Sequence, residues 1–161
     1  MIGPRMSRAR RLKQVAAQQS GKISPAHDLT LRDASLLGVA HEDGRDRPYV
    51  NLKYYWPDHE CFSAWEAHKL KSFSNFCRKI TQMRWSDIYA TGGAVGHKTG
   101  LGYTPHKNPD ILPKNPELNA LSPDLTWFEL RIDGESRVHG FRVKDSFFLV
   151  FLDQGHVIYK N

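Results

Sequence analysis

A chain of 161 residues, 40% apolar and 25% charged, is long enough for one hydrophobic core and short for two. No apolar run approaches the roughly 20 residues of a bilayer-spanning helix. The basic first residues lack the apolar segment of a secretory signal, so a cytoplasmic location is expected. The net charge of +6 is uneven: residues 1–48 hold nine Lys/Arg against five Asp/Glu, and residues 126–161 hold five of each.

In chain order, residues 7–19 favour helix by propensity, with a thin apolar face of Leu12, Val15 and Ala16. Residues 20–48 are rich in Gly, Pro and polar side chains, with room for a short helix over 31–37. Residues 1–48 are therefore expected to be a basic, loosely packed extension. The cluster Arg5, Arg8, Arg10, Arg11 and Lys13 reads as an arm for nucleic acid or ribosome, or as a solvated tail.

The pattern predicts a strand over 49–56, ended by Pro57-Asp58, with Asp58 capping the next helix. Phe62, Trp65, Leu70, Phe73, Phe76, Cys77, Ile80 and Met83 then recur at helical spacing, one helix or a hairpin of two. Lys69, Lys71, Arg78, Lys79 and Arg84 fall off that stripe. On one continuous helix Cys61 and Cys77 would lie roughly 24 Å apart, so reduced thiols are expected. A further helical turn is expected over 86–89.

Residues 91–125 are turn-rich. Their glycine run lacks the Gly-Lys-Ser/Thr of a phosphate loop, which argues against a nucleotide cradle there. Glu66, His68 and their neighbours show no metal-ligand spacing. Residues 126–153 then predict an antiparallel meander. Phe128, Leu130 and Ile132 alternate with Trp127, Glu129 and Arg131, the period of a half-buried strand. Gly134-Glu135 makes a turn through glycine's freedom at positive φ, and a strand from Arg137 to Val143 follows. Lys144-Asp145 leads into Phe147-Phe-Leu-Val-Phe-Leu152, an unalternating run of the kind covered on both faces.

Glu117, Arg137 and His156 lie in three segments that a meander could bring together. A carboxylate, a guanidinium and an imidazole suffice for RNA cleavage without metal or cofactor. Glu117 would take the 2′-OH proton, Arg137 would hold the phosphate and His156 would protonate the leaving 5′-oxygen. Tyr159 could stack on a base or bond the phosphate. Arg131, Arg142, Lys144 and Lys160 are candidate RNA contacts, and Asp153 a candidate partner orienting His156.

Over about residues 49–161 the chain resembles the RelE/YoeB-type family of bacterial toxin mRNA interferases. The resemblance rests on Glu117 in Lys114-Asn-Pro-Glu117, the Trp127–Ile132 segment, Arg137 in Ser136-Arg-Val-His-Gly140, and His156 near the C-terminus. It departs from that family in a tyrosine three residues past the histidine, a longer 91–125 loop and no counterpart to residues 1–48. The resemblance implies an α+β fold, a helical hairpin packed on a curved antiparallel sheet. It also implies cleavage of mRNA at the ribosome, with Glu117 as base, Arg137 on the phosphate, His156 as acid, and an antitoxin partner. A non-catalytic RNA- or protein-binding module on the same scaffold stays open beside it.

Overall fold

The computed structural model describes residues 47–94 and 96–159. The helices predicted over 7–19 and 31–37, the basic arm and the candidate RNA contact Lys160 lie outside the described residues. Among the described residues the fold is α+β: a five-stranded sheet, two α-helices and three 3-10 turns. Strands β1 (Tyr49–Asn51), β2 (Thr104–Pro105), β3 (Trp127–Arg131), β4 (Arg137–Val143) and β5 (Ser146–Asp153) stand in the order β1-β5-β4-β3-β2. The sheet is mixed, not wholly antiparallel, because β1 runs parallel to β5. Among the described residues no helix is long and apolar enough to cross a membrane.

The meander forms as its alternation predicts, but its first turn works differently. Gly134 is not at positive φ. Instead Asp133 Oδ1 accepts the amides of Glu135 (3.0 Å) and Ser136 (2.7 Å), so an aspartate side chain closes the turn. Lys69 on helix α1 (Ala67–Ile80) clamps it, its Nζ 3.3 Å from Asp133 Oδ1 and 3.4 Å from Glu135 Oε2. Lys69 is thus buried on a polar contact, not solvated. At the second turn Lys144 takes φ 52°, and the Trp85 indole donates to the Asp145 carbonyl at 3.3 Å.

Three local expectations change. The first strand stops at Asn51, since residues 52–54 turn away. Asp58 caps no helix: α1 starts after Glu66, without a side-chain cap. Cys61 precedes a separate 3-10 turn, Phe62–Ala64, so no continuous helix joins it to Cys77, and both thiols are free. The further helical turn forms as α2 (Trp85–Ala90).

Both faces of the sheet are covered. On one, Phe76 and Ile80 of α1, Trp85 and Ile88 of α2, and Trp65 pack on Phe128, Leu130, Val138, Phe147, Leu149 and Leu152. On the other, Leu112, Leu118, Leu121 and Leu125 from the turn-rich segment, with Tyr54 and Trp56, pack on Phe141, Phe148, Val150 and Phe151. That segment is built from a repeated device. Asn108 and Asn115 each accept the amide two residues on, and each is followed by proline opening a 3-10 turn.

A bulge decides which β5 side chains reach which face. Gly140 pairs with Leu149 but His139 pairs with Phe151, which leaves Val150 as the extra residue. Gly140 stands where the bulged strand comes closest, and a Cβ there would collide with the Phe148 carbonyl and crowd the Phe147 ring. Gly140→Ala is expected to destabilise the protein by about 3 kcal/mol. Urea unfolding measures this, and an unchanged midpoint would show that the bulge relaxes freely.

Candidate functional site

Pairing register places opposite residues on the same face of a sheet. One row runs Thr104, Glu129, His139, Phe151, and the next runs Arg131, Arg137, Asp153. The face packed by leucines at one end is therefore charged at the other. There a cleft of about 660 Å³ opens, lined by Lys98, Glu129, Arg131, Glu135, Arg137, His156 and the glycines 96, 102, 134 and 155.

Arg137 is buried, with Nη1 donating to the carbonyls of Asp133 (3.1 Å) and Ser136 (3.0 Å). Its Nε lies 3.9 Å from Glu129 Oε1. Burial pulls the guanidinium below its ordinary pKa, and Glu129 opposes that pull. Glu129 is 2% exposed, and its Oε2 lies 3.4 Å from His156 Nε2 without hydrogen-bonding geometry. His156 sits at positive φ (51°) in the tight turn after β5, which turns its ring back over the sheet. Arg131 packs its guanidinium against Gly102, at φ +54°, where a Cβ would lie 3.3 Å from it. Lys98 Nζ donates to Thr104 Oγ1 at 2.8 Å.

Behind the cleft lies a buried relay. His106 Nε2 is 3.0 Å from His139 Nδ1, and His139 Nε2 is 3.1 Å from Asp153 Oδ2. Burial alone would raise the Asp153 pKa. The bonds from His139 and from the amides of Val157 and Ile158 outweigh it and hold the carboxyl below its ordinary value. An anionic Asp153 makes His139 Nε2 a donor. In the neutral state His139 Nδ1 then accepts from His106 Nε2–H, and His106 Nδ1, which has no partner, keeps a bare lone pair. Burial, and then His139, lower the His106 pKa to about 4.

The structure brings together part of the expected set. Arg137, His156 and Arg131 line the cleft. Glu117 does not: it is exposed on the 3-10 turn Pro116–Ala120, outside the cleft lining. The carboxylate that meets Arg137 and His156 is Glu129. Asp153 pairs through its side chain with His139 and not with His156. Tyr159 sets its ring edge-on to His106 at 5.0 Å and does not line the cleft. Arg142 lies on the opposite face, stacked over Trp85 at 4.6 Å and donating to the Tyr89 hydroxyl at 3.0 Å. Lys144 is an exposed turn residue. The glycine run, read as no cradle, contributes Gly96, Lys98 and Gly102 to the cleft wall.

Glu129 was within reach of the sequence. Counting outward from a turn centred on Gly134 sets Arg131 opposite Arg137 and Glu129 opposite His139, as the register confirms. Compared with protein-family models, curated proteins and solved structures, the chain matches none of them.

The relay gives a pH prediction. A histidine held near pKa 4 resists protonation when folded but not when unfolded. Stability is therefore lost as pH falls from about 6.5 toward 4 and is constant above that window. Between pH 7 and 5 the loss from His106 is on the order of 2 kcal/mol. Urea unfolding at both pH values should show His106→Gln flattening this slope, and parallel slopes for the two proteins would refute the assignment.

Proposed function

We propose that the cleft cleaves RNA by transesterification, as a toxin-like endoribonuclease of the RelE/YoeB type acting on mRNA at the ribosome. The observation that carries the reading is the meeting of a carboxylate, an imidazole and two guanidiniums around one open cleft. Arg137 and Arg131 hold the scissile phosphate and neutralise the charge that builds on its oxygens. Glu129 takes the proton from the 2′-OH, whose oxygen attacks phosphorus. The P–O5′ bond breaks, His156 gives its proton to the departing oxygen, and a 2′,3′-cyclic phosphate and a 5′-hydroxyl result. Exchange with solvent in the open cleft then removes the proton from the Glu129 carboxyl and returns one to the His156 imidazole, which resets the pair. The motif resemblance supports mRNA as substrate and a protein antitoxin as partner, with Glu129 in the role first expected of Glu117.

On this reading His156→Ala and Arg137→Lys each lower cleavage of mRNA in a translating extract by 10²–10⁴-fold, on the order found for one acid–base or oxyanion group. Glu129→Gln does the same while keeping its shape, and Glu117→Ala cuts at the wild-type rate. A 2′-deoxy substitution at the cleaved position abolishes cutting. Intact mRNA under wild-type protein, with Arg131 and Arg137 still needed for RNA binding, would make the cleft a non-catalytic RNA-binding site instead. Omitting ribosomes tests the requirement for them.

A further inference from the structure

A second cavity, of about 450 Å³, opens on the same face of the sheet, two residues along β3 from Glu129. Its walls are Trp127, Leu118, Leu121, Pro113 and Pro123, with Lys114 also lining it. Asn115 lines it too and is 5% exposed. Its Oδ1 is committed, accepting the Glu117 amide at 2.9 Å, while its Nδ2 has no hydrogen-bond partner. A buried primary amide with its donors unpaired costs about 1–3 kcal/mol, which an acceptor brought to it would recover.

That inventory specifies an occupant. Among the described residues of the wall, the buried polar atom without a partner is Asn115 Nδ2, a donor that cannot accept, so it calls for an acceptor on the ligand. Asn108, Asp110, Asn119 and Ser122 also line the cavity, while the indole of Trp127 and the proline rings offer flat apolar surface for a flat group. Lys114 supplies a cation for a phosphate attached to it. Trp127 and Glu129 point to the same face of β3, about 7 Å apart at the rise of a strand. That is the reach of one nucleotide from the cleft.

We propose that this cavity receives an unpaired nucleobase, that of the nucleotide adjoining the one cut. The base stacks on Trp127 and accepts from Asn115 Nδ2 through a ring carbonyl or ring nitrogen. The proposal rests on the reading of the neighbouring cleft as an RNA site, and it makes the turn-rich segment the part that selects where the strand sits.

The test uses the full chain and a single-stranded RNA made uncuttable by 2′-deoxy substitution, with an abasic residue moved through it one position at a time. Binding is read by fluorescence anisotropy. One abasic position is expected to weaken binding by about tenfold, the low end of the loss for one stacked, hydrogen-bonded base. Asn115→Asp keeps the bond to the Glu117 amide but removes both donors. It should weaken the base-bearing strand about tenfold more than the strand abasic at that position. Leu121→Trp fills the cavity without adding charge and should reproduce the effect. Equal losses on both strands, or an abasic scan in which no position weakens binding, would overturn the proposal even where the cleft still cuts. A base-specific Asn115 effect without any cutting would uphold the cavity and remove the nuclease reading.

Discussion

Arg137 is a cation held out of water, and most of the polar half of the sheet follows from that. An ion taken into a protein interior loses its hydration and must recover it from fixed partners. Here the partners are two carbonyls of the 133–136 turn and, slightly farther off, Glu129. The turn must therefore keep its shape, and it does so because Asp133 closes it and Lys69 of α1 ties it to the helix layer. Glu129, facing inward to serve Arg137, leaves its second oxygen toward His156. The cleft's chemistry thus descends from the solvation needs of one side chain, and the helix on the far face takes part in meeting them.

The bulge at Val150 does equally consequential work. Without it, strict alternation would send Asp153 to the helix face and Leu152 to the charged one. The extra residue exchanges them, so Leu152 joins the helix-side core and Asp153 meets His139. Asp153 then gathers the amides of Val157 and Ile158 and folds the C-terminal residues back over the sheet, carrying His156 to the cleft. A single irregularity beside Gly140 connects the hydrophobic packing of β5 to the placement of an imidazole.

What the sequence made legible follows the same division. The three meander strands were readable because period 2, a tight turn and an unbroken apolar run are local signals, and Arg137 and His156 were readable from their positions against those strands. Glu129 is not legible as a site residue on local pattern alone, since a charged residue at an alternate position looks the same whether its face meets water or a buried arginine. Only the cover over that face distinguishes the two. The pairing of Asp153 with His139 is not legible, because a bulge shifts pairing by one residue and leaves no mark in composition. The break between Cys61 and Cys77 was hidden by aromatic residues that keep a helical spacing across a 3-10 turn and an extended link.

The turn-rich segment shows how a stretch without regular structure can still form a layer. Each Asn-Pro pair satisfies a backbone amide through the asparagine side chain and fixes the next φ through proline, so the order comes from local bonds and not from a ladder. Order obtained this way leaves the leucines free to point at the sheet and bury Phe141 and Phe151. It also uses up only one end of each asparagine amide. At Asn115 the other end is left buried and unmatched, so the device that builds the layer also creates the polar group for a ligand to find. A wall made of helix would have spent its polar groups on itself. A wall made of Asn-Pro turns keeps one in reserve beside a cationic cleft.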